Sequence, residues 1–328
     1  MLRRWARSQA LRIIGKRVLQ TIPVLIGVTL ITFCLLNLLP GGTCLSILGF
    51  GATRHSVHLC DIRLGLNHPF FVRYGDWMWK ALHGNFGASL TSGEPVSQIL
   101  RVRFPVTLEL VLYAFIMSVF LSVPMAVLSV HKPHGIIDRF SIATSMFGLS
   151  LPGFVFALLL ITVFAVHLRI FPVNGFVPIS AGFFSNLRSM TLPSATIAFA
   201  LFCTYTRLLR ADMMDHILSE DYIVTARAKG VKGWQILIRH ALRNSIFGLI
   251  TLIGLNISTL VGGTVLVESI FGLPGMGQQL LQAIGYEDVI VVQAIVSIIA
   301  LAVVAMALVT DLLYVVLDPR IRYGRPNS

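Results

Sequence analysis

The chain has 328 residues, of which 55% are hydrophobic and only 12% charged, with a mean hydropathy of +0.81. A soluble domain carries about 25% charged residues, so an ordinary water-soluble fold is excluded. The formal net charge is +12, but the basic residues flank apolar runs instead of forming a patch on a soluble fold, which argues against nucleic acid as a partner.

Residues 1–17 form a basic N-terminus with Arg3, Arg4, Arg7, Arg12, Lys16 and Arg17. Ala6 to Gln20 is patterned as an amphipathic helix suited to an anionic inner surface. The apolar run 18–39 is longer than a signal-peptide core and no small-x-small site follows it, so it reads as a retained first span. Five more runs near the ~20 residues that a bilayer requires follow at 106–130, 140–166, 193–211, 246–267 and 289–317. The expected class is all-α integral membrane, with an outer segment at 40–105, a core at 106–317 and a tail at 318–328. With the N-terminus inside, inner segments hold 18 of the 26 Lys and Arg, which places both ends in the cytoplasm.

The segment 40–105 carries Cys44, His55, His58 and Cys60. Three readings stay open for it: unpaired cysteines with surface histidines, a disulfide between Cys44 and Cys60 in an oxidising space, or a soft divalent metal. Trp77 and Trp79 suit the core of a folded cap. Pro124 in the second span, and Pro152 with Gly153 in the third, suit either hinges or close packing. Arg207 and Arg210 lie one turn apart, with Asp212, Asp215, Glu220 and Asp221 near enough in sequence to pair with them. In the fifth span Asn256, Thr259 and Gly263 fall on one helical face. That face either lines a pathway or packs against a span of a partner.

Between the fourth and fifth spans lies the most distinctive stretch, EDYIVTARAKGVKGWQILIRHALRN, residues 220–244. Tyr222 to Lys229 favours helix, Gly230 supplies a turn with positive φ, and a second amphipathic run leads into the next span. A helix, a glycine turn and a helix beside a membrane make a docking element for a partner.

Here the sequence resembles the permease subunits of ABC importers, whose cytoplasmic loop reads E-A-A, three residues, G, nine residues, I-x-L-P. Ala226 takes the second alanine, Gly230 the glycine and Leu242 the leucine, while Val224, Thr225, His240 and Arg243 depart from the pattern. TARAKG followed by RHALRN resembles the peptide and nickel branch, B-type subunit. So do the opening KRVLQTIPVLIGVTLITF and the ending LDPRIRYG. Further matches are Leu64, Gly65, Leu66, Pro69, Tyr74, Trp77, Gly84, Gly87 and Ser89 in the outer segment, with Asn85 where the family has Asp. Arg207, Arg210 and Met213, and then ESIFGLPGMG at 268–277, complete the series.

The resemblance implies six transmembrane helices in a type I ABC-importer permease fold with a long extracytoplasmic loop after the first helix. It implies a bacterial cytoplasmic (inner) membrane and a coupling loop at 212–245 in which Glu220, Tyr222, Ala226, Arg227, Lys229 and Gly230 meet an ATPase. Trp77, Asn85, Glu268 and Pro274 are expected at the outer gate or its contact with a binding protein. The implied partners are a second homologous permease, two ATP-binding cassette subunits and an extracytoplasmic solute-binding protein, with ATP and Mg on those partner subunits.

The chain contains no G-x-x-x-x-G-K-[ST] phosphate loop, no H-E-x-x-H and no G-x-S-x-G, so no catalytic residue is assigned. Glu109, Arg207, Arg210, Glu268 and Asp311 sit near span ends, which argues against a proton-coupled carrier. Peptides are the expected cargo. Nickel, glutathione or haem within the same class, and a non-transporting scaffold for a cytosolic protein from another class, are the alternatives.

Overall fold

The computed structural model describes residues 15, 19–34, 44, 51–63, 65–219 and 221–317. Among the described residues the regular elements are helices, and the β-type pairing is a single bridge between Ala88 and Pro95. Helix α1 is Leu19–Cys34, α2 Arg54–Arg63, α3 Phe70–Leu82, α4 Val96–His131, α5 Ile136–Ser150 and α6 Gly153–Leu160. Then come α7 Phe183–Ser219, α8 Asp221–Ala228, α9 Gly233–Ile236, α10 Arg243–Phe271, α11 Met276–Gly285 and α12 Val289–Leu317. Among the described residues four helical stretches are long and apolar enough to cross a bilayer, or five when the bent pair α5 and α6 is taken as one span.

Several helices outrun the apolar stretches that announce them. Helix α4 has 36 residues, roughly 54 Å at 1.5 Å per residue against a hydrocarbon core of about 30 Å. Its first turns, with Arg101 and Arg103, lie outside the apolar run 106–130 because helix propensity does not stop where lipid does. Helix α7 begins at Phe183 and carries Pro193 within it. It is the most buried of the crossing helices and the least apolar, because a helix surrounded by protein does not have to satisfy lipid.

The chain divides into two compact units, one containing 108–273 and 306–317, the other the described parts of 15–107 and 274–305. In the first unit α7 is the hub, packed most extensively against α10 and α5 and also against α6. Asp138, Ser141, Ser145 and Gly148 follow at intervals of three and four on α5 and are all buried. At Gly148 there is no room for a side chain: a Cβ there stands 2.4 Å from the Cys203 sulfur and 2.9 Å from the Phe199 ring. Gly254 is as confined, with Thr310 at 1.8 Å from an ideal Cβ. Asn186 ties the start of α7 to α4, donating to the Glu109 carboxylate and to the Val177 carbonyl (2.8 Å) and accepting from the Tyr113 hydroxyl (2.9 Å).

Helices α5 and α6 meet at 110°. Leu151 precedes a proline and takes an extended conformation (φ −88°, ψ 121°), as the proline ring requires of its predecessor. Gly153, by contrast, has nothing within 4 Å of an added Cβ, so close packing does not explain that glycine. Two segments widen to π-helical turns, Ile161–His167 after α6 and Leu237–Leu242 between α9 and α10.

In the second unit Val96 and Leu100 of α4, Met276 and Ala283 of α11, and Val291, Val292, Ala294 and Ile295 form one core cluster. Helix α11 starts where the Met276 N–H donates to the Thr107 hydroxyl at 2.8 Å. Helix α3 lies on α1, with the Phe33 ring edge-on to Phe70 and Tyr74. The Arg73 guanidinium stands 5.6 Å from the centre of the Phe33 ring. Burial lowers its pKa from the ordinary arginine value, and the negative charge of Asp61 acts in the opposite sense.

Candidate functional site

Helix α8 ends in a turn built on Ala226, Arg227 and Gly230 of the A-R-A-K-G run. The Gly230 N–H donates to the Arg227 carbonyl at 2.9 Å, the Val231 N–H reaches back to the Ala226 carbonyl at 3.1 Å, and Gly230 has φ +74°. These paired bonds, with a left-handed residue between them, make a Schellman cap. Its usual apolar contact is present: Val231 packs on the cluster of Ile223, Ala226 and Ile236. That cluster folds α9 back onto α8. A Cβ at Gly230 has open space around it, so positive φ, not crowding, selects glycine here.

Around this small core Arg227, Lys229, Lys232, Arg239 and Arg243 are all exposed. Trp234 is exposed on one side and meets the His131 ring edge-on at 5.3 Å on the other. Glu220 lies outside the described residues, as do the side chains of Tyr222 and Thr259.

Beside it lies a buried carboxylate that sequence spacing did not reveal. Asp138 of α5 accepts two bonds from the Arg210 guanidinium, at 2.5 and 2.9 Å, one from the Ser129 hydroxyl, and one from the His134 N–H at 2.9 Å. Arg210 therefore pairs across helices with Asp138, not with the acids adjacent to it in sequence, while Arg207 points into the open. The bidentate geometry and the added donors are what a charge out of water requires. The clasp joins the end of α4, the start of α5 and the second half of α7.

The Gly84–Ser89 motif of the outer segment is organised by a second buried acid. Asn85 accepts the Gly87 N–H at 3.0 Å, and Gly84 and Gly87 take φ of +78° and +92°. Ser89 donates to Asp288 at 2.6 Å. The Leu90 N–H and the Thr91 hydroxyl reach the same carboxylate at 3.1 Å each. Its other oxygen accepts the Val291 N–H at 3.3 Å, as an N-cap of α12 does. Asp288 explains why that motif ends in serine, and no local pattern pointed to it.

Trp77 is half-buried and stacks at 6.4 Å on Tyr74. Pro274 is half-buried just before α11, and Glu268 is fully buried near the end of α10. The Leu273 N–H closes that end on the Glu268 carbonyl, with Gly272 left-handed. Asn256 is half-buried and faced by the Tyr205 hydroxyl of α7, whereas Gly263 is exposed. The Asn256 end of the proposed pathway face is thus turned into the packing between α7 and α10. Cys44 is buried and disulfide-bonded, which favours the oxidised reading of that segment, while Cys34 and Cys203 are free thiols. The side chain of Cys60 lies outside the described residues. Among the described residues no group of three His, Cys, Asp or Glu is placed to hold a metal ion.

Residues 118–323 match the family described as binding-protein-dependent transport system inner membrane component. Residues 10–111 match the N-terminal membrane component of the same systems. The chain belongs to this family. Its members are transport permease subunits, not enzymes, so this chain is a multi-pass inner-membrane subunit of an ABC transport system. A putative peptide transport system permease protein of Brucella abortus (strain 2308) is 37% identical over 311 residues, covering 95% of this chain and 99% of the relative. Oligopeptide transport system permease protein AppB of Bacillus subtilis (strain 168) is 37% identical over 94% of this chain and 98% of its own length. Dipeptide transport system permease protein DppB of Escherichia coli (strain K12) is 33% identical over 96% and 100%.

Proposed function

We propose that this chain is the transmembrane permease subunit of an ATP-driven importer of di- or oligopeptides. The observation that carries this reading is near-full-length similarity, at 33–37% identity, to permeases named for peptide, oligopeptide and dipeptide transport. The α8–turn–α9 unit supports it: a compact element with an exposed basic surface, of a kind that a partner can grip from outside the chain. In this reading the chain has six spans in a type I permease fold, with both termini inside and a long extracytoplasmic segment after the first span. It pairs with a second homologous permease, and two ATP-binding cassette subunits bind ATP and Mg below. A solute-binding protein docks outside, near Trp77, Asn85, Glu268 and Pro274.

Closure of the ATPase pair pushes on the loop 212–233. The clasp at Asp138 then carries that push into α4, α5 and α7, and the packed helices switch between inward- and outward-facing arrangements. Gly263 and the Asn256–Thr259 face border the path in one of them.

Purification in mild detergent from the native membrane, followed by mass spectrometry and vesicle reconstitution, tests the assignment. The expected result is a second six-span chain, a Walker-motif ATPase, and ATP turnover that rises when peptide-loaded binding protein is added. Recovery of this chain with an unrelated cytosolic protein, and no substrate-dependent turnover, would overturn it. Gly230→Asp is expected to lose uptake while inserting normally. Normal uptake at normal protein level would remove the coupling role from this turn.

A further inference from the structure

Helix α3 has two apolar faces and only one of them is covered. One face lies on α1: Phe70 and Tyr74 meet the Phe33 ring, and the Tyr74 hydroxyl reaches the Thr29 hydroxyl at 2.8 Å and the Ile26 carbonyl at 3.3 Å. The other face carries Phe71, Trp79 and Leu82 at intervals that place them on one side of a helix, with Gly75 between them. They are 76%, 67% and 73% exposed, and Val72 flanks them. Asp76 and Lys80, one turn apart and both exposed, form a narrow charged strip beside that face. No residue of α3 is buried. A water-facing helix at the surface of a soluble cap has no use for an uncovered phenylalanine, tryptophan and leucine on the same side.

The contact with α1 fixes the depth of this face. Ile26, Thr29 and Phe33 occupy the middle and the second half of the apolar run 18–39. A helix laid against that part of a span sits at the level of the outer acyl chains, not above the headgroups. The exposed side of α1 has the same character there, with Ile26 and Ile31 uncovered. Tryptophan on the apolar side and a Lys in the charged strip next to it are the residue types that hold an amphipathic helix in the plane of a membrane interface.

We infer that α3 is an interfacial helix lying in the outer leaflet, with Phe71, Trp79 and Leu82 among lipid acyl chains and Asp76 and Lys80 toward the headgroups. The segment after the first span is then not wholly an aqueous cap, because its aromatic helix is a membrane anchor. This rests on reading α1 as the first span.

The test uses the whole transporter complex in phosphatidylcholine–phosphatidylglycerol vesicles, in a Cys34→Ser, Cys203→Ala background. Single nitroxides are placed by Trp79→Cys, Leu82→Cys, Asp76→Cys and Lys80→Cys, with Ile31→Cys on α1 as the reference. Collision with dissolved oxygen is compared with collision with a water-soluble nickel chelate. The expected pattern is several-fold oxygen preference at 79 and 82 and the reverse at 76 and 80, with oxygen preference at 31. Nickel preference at 79 and 82 would place that face in water and overturn the inference. Low collision with both agents there would mean that the second permease or the binding protein covers the face, and would equally overturn it. Nickel preference at 31 as well would show that the first-span reading has failed, whereas failure confined to α3 leaves that reading intact.

Discussion

The loop from Gly84 to Pro95, with three left-handed glycines, and the segment from Asp221 to Ile236, with one at Gly230, are both short and turn-rich, yet they are held by different means. The first is pinned by a distant carboxylate: Asp288 gathers donors from Ser89, Leu90 and Thr91. The second is held mainly by its own small core of Ile223, Ala226 and Ile236, with one ring contact from Trp234 to His131, and it turns Arg227, Lys229 and Lys232 outward. A loop whose polar groups are satisfied inside the chain has one shape whether or not anything docks on it. A segment that keeps a minimal core and an exposed basic surface leaves room for a partner to complete it. The Gly84–Pro95 loop therefore reads as a fixed platform and the Asp221–Ile236 segment as a handle.

The largest effect is expected at the base of the handle. Arg210→Ala strands Asp138 as a buried, unpaired charge, a change that costs about 3–5 kcal/mol. It should appear as a large fall in the thermal midpoint of the detergent-solubilised subunit. Arg210→Lys should recover only part of it, because an ammonium does not reproduce the bidentate contact. An unchanged midpoint for Arg210→Ala would mean that the clasp is not closed in solution.

Asp288→Ala is expected next, at about 2–3 kcal/mol, since it removes the acceptor of the buried Ser89 hydroxyl and Val291 N–H. Limited proteolysis is then expected to cut near Thr91–Glu94 faster than in the wild type. Equal resistance in both would show that the platform does not depend on Asp288. Gly230→Val forces a β-branched residue into positive φ at about 1–2 kcal/mol, while Gly230→Asn is better tolerated. Both should leave the global midpoint nearly unchanged, and only the valine variant should lose co-purifying ATPase. If asparagine and valine behave alike, the turn geometry is not what the partner reads. Smallest is Trp234→Ala, which removes the edge contact with His131, about 1 kcal/mol. It should be visible as faster hydrogen exchange in residues 233–236.

The membrane class, the helical character and the turn at Gly230 were legible in the sequence, because each depends on residues close together in the chain. Apolar runs mark lipid-facing helix, and a left-handed cap announces itself as glycine after a helical stretch. The start of α7 at Phe183 was not legible, since the low apolarity of that helix reflects burial by other helices instead of by lipid. Pro152 signalled an interruption but not its size; the 110° turn follows from what α6 packs against after the break. The two acids that organise the sites were missed for a single reason. Asp138 meets Arg210 across 72 residues and Asp288 meets Ser89 across 199, and no spacing rule reaches that far. Spacing alone matches Arg210 to the acids beside it, because adjacency is all that an isolated sequence offers.

Gly148 and Gly254 have a mechanical meaning. At each, one additional methyl group would overlap a neighbouring helix, the Cys203 sulfur in one case and Thr310 in the other. Joints made with no clearance have no backlash. A displacement applied at one end of α5 or α10 arrives at the crossing undiminished, instead of being absorbed as slack between loosely stacked rods. The same tightness forbids sliding, so whatever motion the first unit performs must be a swing of interlocked pieces about their contacts. These two glycines therefore set the stiffness with which an impulse travels through the bundle.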